Sequence, residues 1–217
     1  MGAARPKALV ELAGRPLLVH ALSRAAGVDV VVVACPPGSS ARVTSLLAPV
    51  AGRCEVHVVE GAPDRQGSVR AALDRVPGDV DVVLVHDAAR CLTPPAVFAD
   101  VVRAVRAGAR AVVPALPVTD TIKQVRGGVV VGTPDRRELW AVQTPQGFDA
   151  ALLRAVHADP PAGLAVTDDA GMVEAAGHEV LVVPGSEHAF KITRPIDLLL
   201  AEAVLAGHAP ERAEEAP

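Results

Sequence analysis

Short valine-rich runs recur along this chain with a helical stretch after each, and that alternation limits the fold more than any other feature. Residues 30–34 (VVVVA), 56–59 (VHVV), 82–85 (VVLV) and 111–114 (AVVP) are too short for helices and rich in β-branched side chains, so each is expected to be a buried strand. Between and after them, residues 39–47, 68–75 and 94–105 carry helical spacing. An earlier helix is expected after Gly14-Arg15-Pro16, with Leu17, Leu18, Ala21 and Leu22 on one face and Gly27 as its stop. Strand and helix in this rhythm imply parallel strands joined by right-handed crossovers. The expectation is an α/β fold with a doubly wound, mostly parallel sheet covered on both faces.

After Pro117 the rhythm changes. Residues 121–125 and 129–132 flank Arg126-Gly127-Gly128, a hairpin signal, so a small β-arm is expected over about residues 117–143. Residues 139–142 are expected to return to the main sheet, followed by helices at 150–158 and 169–176, a strand at 179–183 and a helix from 195 to about 205. One domain over residues 1–206 follows, and residues 207–217 (GHAPERAEEAP) are expected to be a disordered tail.

Bulk properties exclude several classes. With 2% aromatic residues and no Tyr, the core must be built from Val, Leu and Ala. A net charge of −4 gives no long-range attraction for nucleic acid, so a bound anion must be held locally. The apolar runs are far too short to span a bilayer, and no signal-peptide pattern is visible. A soluble, cytoplasmic protein is expected. Cys35, Cys54 and Cys91 have no metal-ligand spacing and cannot all pair, which suits a reducing compartment and gives Cys91 no catalytic role.

Residues 82–90 (VVLVHDAAR) run from a buried strand straight into His, Asp and Arg. In open α/β sheets ligands bind at the carboxyl ends of strands, which is where Asp87 and Arg90 fall. Read alone, the same residues suit a capping Asp and a solvated Arg equally well. Gly61-Ala62-Pro63 follows the strand at 56–59, and small residues there permit close approach to a base and ribose. Ser68 alone reads as an ordinary helix cap, and Lys7, after the rigid Pro6, as a surface lysine. Lys191, framed by Phe190 and Ile192, suits a partly desolvated cation aimed at phosphate. Asp168 and Asp169 invite a metal-pair reading, but Thr167-Asp168-Asp169 also fits a helix N-terminus with favourable charges, and no residue is assigned as a metal ligand.

Four further stretches mix Thr, Asp, Lys and Arg within apolar surroundings: residues 116–123 (LPVTDTIK), 135–148 (DRRELWAVQTPQGF), 167–171 (TDDAG) and 190–200 (FKITRPIDLLL). With residues 82–90 and Pro6-Lys7-Ala8, they make the chain resemble, from Arg5 to about Leu205, the IspD cytidylyltransferases of the non-mevalonate isoprenoid pathway, which join 2-C-methyl-D-erythritol 4-phosphate to CTP. The resemblance implies a Rossmann-like nucleotidyltransferase fold. It places Lys7, Asp87 and Lys191 in the catalytic centre and Gly61, Ala62, Ser68, Asp87 and Ala88 around the cytidine nucleotide. It assigns Arg90, Thr121, Arg136, Thr144 and Thr167 to the methylerythritol phosphate. It also implies Mg²⁺ held mainly through CTP phosphates, and a homodimer whose β-arm enters the neighbouring subunit's site.

Two departures stand out. Cys91 replaces a Pro usual in the family, which changes loop stiffness and not charge. Family members also begin with a buried strand and an AAGxGxRxG loop, whereas Met1-Gly2-Ala3-Ala4-Arg5 alone precede Pro6 here. The first central strand is therefore expected to be missing, leaving the strands at Val30 and Val80 facing a gap with unpaired backbone, and the coding region is expected to start upstream. Two alternatives stay open: a cytidylyltransferase for another polyol phosphate such as ribitol 5-phosphate, or a catalytically impaired, truncated nucleotide-binding dimer. A dinucleotide module is the least expected reading, because no strand is followed by G-x-G-x-x-G.

Overall fold

The computed structural model describes residues 6–160 and 167–207; the departure at residues 1–5 and the expected tail beyond Gly207 lie outside them. A single 3-10 turn at Lys7–Leu9 leads into a tight hairpin, β1 (Glu11–Leu12) and β2 (Arg15–Pro16), turned by Ala13 and Gly14 at positive φ. The Pro16 ring then starts α1 (Leu17–Arg24), which Gly27 at φ 75° follows. β3 (Val30–Cys35), α2 (Ser40–Leu47), β4 (Glu55–Glu60), α3 (Arg65–Leu73), β5 (Val82–Val85), α4 (Pro95–Arg106) and β6 (Ala111–Pro117) complete the expected alternation. The arm is β7 (Gln124–Arg126) and β8 (Val129–Gly132), joined through Gly127 and Gly128, both at positive φ. β9 (Trp140–Val142) returns antiparallel to β6, as expected. β10 (Gln146–Asp149), α5 (Ala150–Ala158), α6 (Asp169–Ala175), β11 (Leu181–Pro184) and α7 (Pro195–Gly207) close the described chain.

The main sheet runs β11-β6-β10-β5, with β9 also on β6. β11 is parallel to β6, but β10 lies antiparallel between β6 and β5, so the sheet is mixed. The sequence did not signal β10. It is four residues long and contains Gly147, which is required because a Cβ there would run into Val101 of α4. Along β6, Ala111 and Val113 face Phe148, Leu153, Met172 and Val173 on the α5 and α6 side, while Val112 meets Val101 and Val105 on the other. That period of two is what lets helices cover both faces.

β3 and β4 form a separate parallel pair, with Val31, Val33, Val56 and Val58 packed beneath Leu18, Leu22, Val43 and Leu47 of α1 and α2. Among the described residues no ladder joins β3 to β5. A cavity of about 820 Å³ separates them, lined by residues of both strands, so the expected unpaired facing edges are present among the described residues.

Candidate active site

β5 ends at Val85, and the next five residues carry the chemistry. Lys191 Nζ lies 2.7 Å from Asp87 Oδ2. Burial would raise the Asp87 carboxyl, but the Lys191 ammonium, with Arg65 and Arg90 behind it, outweighs burial and holds it below the usual carboxylate range. Asp87 is therefore an anion at neutral pH, matched to a cation open enough to meet a ligand.

The backbone here is fixed from across the sheet. The Asp87 N–H donates to Thr144 Oγ1 at 3.0 Å, and the same hydroxyl is 2.9 Å from His86 Nδ1. Burial beside Phe98 lowers the His86 pKa to about 4, so the ring is neutral, and its tautomer sets which of Nδ1 and the threonine hydroxyl donates. Arg90 reaches two other segments, donating to the Ala189 carbonyl at 2.7 Å and the Val142 carbonyl at 3.1 Å. Ile192 N–H donates to the Ala89 carbonyl at 2.9 Å, which pins the segment carrying Lys191 against residues 87–90.

A second loop borders the centre. Gly61 N–H donates to the Cys35 carbonyl at 2.7 Å, joining the ends of β3 and β4. Ser68 Oγ accepts from the Ala62 N–H at 3.0 Å and donates to the Asp64 carbonyl at 2.8 Å. A Cβ on Gly61 would sit 2.8 Å from that hydroxyl, so any side chain there would have to displace it. The helix does not begin at Ser68 as its spacing suggested. Asp64 caps it by accepting from Gly67 N–H at 2.7 Å, and Ser68 lies in the first turn, where its hydroxyl shapes the loop.

The sequence matches the family profile "IspD: 2-C-methyl-D-erythritol 4-phosphate cytidylyltransferase" over residues 1–207. The chain belongs to this family. It is 51% identical over 218 residues to the 2-C-methyl-D-erythritol 4-phosphate cytidylyltransferase of Streptomyces avermitilis, covering 95% of this chain and 86% of that protein. The counterpart in Saccharopolyspora erythraea is 54% identical over 213 residues, covering 95% and 93%. Among solved structures, the Thermus thermophilus cytidylyltransferase superposes with a TM-score of 0.80 at 40% identity, covering 94% of this chain and 96% of that one. These neighbours share the Rossmann-like α/β fold described above.

Against this IspD frame, the structure brings Asp87, Ala88, Arg90, Thr144 and Lys191 into one cluster, with Gly61, Ala62 and Ser68 on the adjoining loop. Lys7 is exposed on its 3-10 turn and makes no ion pair among the described residues. Thr121 and Arg136 lie exposed on the arm, where Arg136 donates to the Thr119 carbonyl at 2.8 Å. No bond among the described residues ties either to Asp87. Thr167 is exposed just before α6.

Asp168 and Asp169 do not form a metal pair. Asp168 caps α6 by accepting from Gly171 N–H at 3.0 Å and takes a second bond from Gln146 Nε2 at 2.7 Å. Asp169 is fully buried between Arg65 Nη2 at 2.6 Å and His157 Nε2 at 2.8 Å. Burial opposes its charge, yet His157 and Arg65 together hold its carboxyl below the usual range. Sequence reasoning missed this Arg65 anchor and the role of His86. The available signal was an arginine in the first turn of a helix, a placement the helix dipole disfavours unless a carboxylate answers it.

Proposed function

We propose that this chain transfers the cytidylyl group of CTP to 2-C-methyl-D-erythritol 4-phosphate, giving 4-diphosphocytidyl-2-C-methyl-D-erythritol and pyrophosphate in the non-mevalonate isoprenoid pathway. The observation that carries the reading is the Lys191–Asp87 pair at the carboxyl end of β5, beside the Gly61–Ser68 loop, in a chain matched to one family over residues 1–207. The relatives' names favour methylerythritol 4-phosphate over ribitol 5-phosphate.

A phosphate oxygen of the acceptor attacks the α-phosphorus of CTP, and the bond to pyrophosphate breaks in line. The reaction needs alignment and charge neutralisation more than proton transfer. Lys191 and Lys7 answer charge on the α-phosphate and the leaving group in this reading, and the 2.7 Å pairing of Asp87 with Lys191 supports an orienting part for Asp87. Gly61, Ala62 and Ser68 hold the cytidine half, with Ala88 beside it. Arg90 keeps the Asp87 and Lys191 segments together and borders the acceptor with Thr144 and Thr167. Asp87 supplies one carboxylate, a donor set that fits Mg²⁺ carried chiefly by triphosphate oxygens and water; bound there, the ion would neutralise phosphate charge.

Thr121 and Arg136 contact the acceptor phosphate of a second copy in a homodimer. Support comes from the arm, where Val125, Val129, Val130, Val131 and Trp140 are all exposed. Action in the cytoplasm is supported by the three free cysteines. No helix among the described residues is long and apolar enough to cross a membrane.

The test is pyrophosphate release and ³¹P NMR of the product with CTP, Mg²⁺ and either acceptor. Product with methylerythritol 4-phosphate alone is expected; turnover only with ribitol 5-phosphate overturns the acceptor. The cavity beside β5 favours one second reading, a chain that binds CTP without turning it over. Calorimetric CTP binding with no pyrophosphate from either acceptor would establish that reading and sink the first.

A further inference from the structure

Two consecutive residues reach the two members of the Lys191–Asp87 pair by different routes. Thr144 accepts from the Asp87 amide, while Gln143 acts on the segment that carries Lys191. Gln143 is buried, and its side-chain amide meets the backbone of Ser186 twice. Its Nε2 donates to the Ser186 carbonyl at 2.9 Å, and its Oε1 accepts from the Ser186 N–H at 3.0 Å. That reciprocal exchange is what one strand residue offers another, supplied here by a side chain.

The contact joins segments that the sheet holds apart. Just beyond β9, Gln143 N–H donates to the Pro114 carbonyl at 2.7 Å; just beyond β11, Gly185 N–H donates to the Ala115 carbonyl at 2.9 Å. β9 and β11 lie on opposite edges of β6, where Ala115 pairs with both, so the Gln143 side chain crosses β6 to reach Ser186. The passage is open because residue 185 is glycine: a Cβ there would run into Gln143 Oε1 and the Ala115 backbone.

Ser186 opens a 3-10 turn, Glu187–Ala189, and Lys191 follows two residues after it. The far end of the turn is held by Arg90, which bonds the Ala189 carbonyl and also the Val142 carbonyl beside Gln143. Residues 142–143 are therefore tied to residues 186–189 twice, once through Gln143 and once through Arg90. Without the Gln143 tie the near end of the turn is free, and a misplacement of about 1 Å at Lys191 is enough to cost a large factor in rate.

We infer that Gln143 is a positioning residue for the transfer: its amide, passing over Gly185, clamps the turn that carries Lys191 and so sets that ammonium against Asp87. The inference rests on the proposed reaction and adds to it a residue that acts through Lys191 and not on either substrate.

The test combines the kinetics of Gln143→Leu, Gln143→Glu and Lys191→Met with amine labelling read by mass spectrometry. Gln143→Leu should lower kcat about tenfold to thirtyfold and leave KM for CTP within about twofold, because no hydrogen bond among the described residues joins the Gly61–Ser68 loop to Gln143 or Ser186. In the Lys191→Met background the same change should cost less than about threefold, since the side chain it positions is gone. Gln143→Glu restores both bonds only while its carboxyl is protonated. Its kcat relative to the parent should therefore recover as pH falls from about 8 to about 6, a dependence that a packing defect would not produce. Lys191 should be labelled several-fold faster in Gln143→Leu, with Lys123, bonded to Thr133 on the arm, unchanged. A kcat within about twofold of the parent, or an equal fold-loss with and without Lys191, overturns the inference. Should Gln143→Leu fail to fold, Gln143→Glu decides the matter, and a flat pH profile is the overturning result. If the parent turns over neither acceptor, the proposed reaction fails and labelling alone decides: a raised Lys191 rate upholds the clamp, and an unchanged one sinks it.

Discussion

Lys191 Nζ and Asp87 Oδ2 stand 2.7 Å apart although about a hundred residues of chain separate them. Neither is deeply buried, so the pair adds little to stability and its value lies in alignment. Lys191→Met and Asp87→Asn should each lower kcat about a hundredfold or more while leaving Tm within a few degrees. Steady-state kinetics beside thermal unfolding checks both; full activity in either variant removes the pair from the catalytic centre.

Thr144 is the next lever, because its hydroxyl accepts the Asp87 amide and reaches His86 in the same place. Thr144→Val leaves a buried N–H unpaired and should cost about 1–3 kcal/mol of stability. Its kcat should fall about tenfold, with Thr144→Ser restoring both. Rescue of stability without rescue of rate would separate the hydroxyl's structural part from its effect on Asp87.

Gly61 and Ser68 are too close for a side chain to come between them. Gly61→Ala should displace the Ser68 hydroxyl and raise KM for CTP several-fold, with a smaller effect on the acceptor's KM. Adding Ser68→Ala should then cost less than it does in the parent chain, because the bond is already broken. Strictly additive effects in a double-mutant cycle would contradict the geometry.

His86 sets an acid limit. Its pKa falls from 6.5 to about 4 on folding, so the unfolded chain binds the extra proton between those values and the native state does not. Stability from this residue is complete above about pH 6.5 and is lost as pH falls toward 4, by an amount on the order of 3 kcal/mol. Melting curves from pH 7 to pH 4 should steepen through that window in the parent chain. They should flatten in His86→Gln, and an unchanged pH profile in the variant would assign the acid sensitivity elsewhere.

The arm's valines supply a prediction about assembly. Val130→Asp places charge in the exposed apolar stripe and should convert a dimer to a monomer in light scattering, with loss of turnover but little change in Tm. A monomeric parent chain, or a variant that stays dimeric, would disprove the shared-site arrangement.

Much of the fold was legible because the sequence signals were local. Asp149 accepts from Leu152 N–H and starts α5 at Ala150, where the spacing placed it; Gly127 and Gly128 turned the arm as expected. β10 was not legible, since Gly147 weakens any strand signal and is needed only because α4 presses on the sheet there. The site divided in the same way. Asp87 could be placed by its position after VVLV, whereas the bonds of Thr144 to His86, Arg90 to Ala189 and Asp169 to Arg65 join residues far apart in sequence and leave no periodic trace.

The Arg90 bond to the Ala189 carbonyl spans 99 residues. A chain emerging from the ribosome can form the strands at its amino end early, but it cannot close this rivet until residue 189 is free. The chemistry of the molecule is thus assembled late in synthesis, and a nascent chain halted before that point is a scaffold without a working centre.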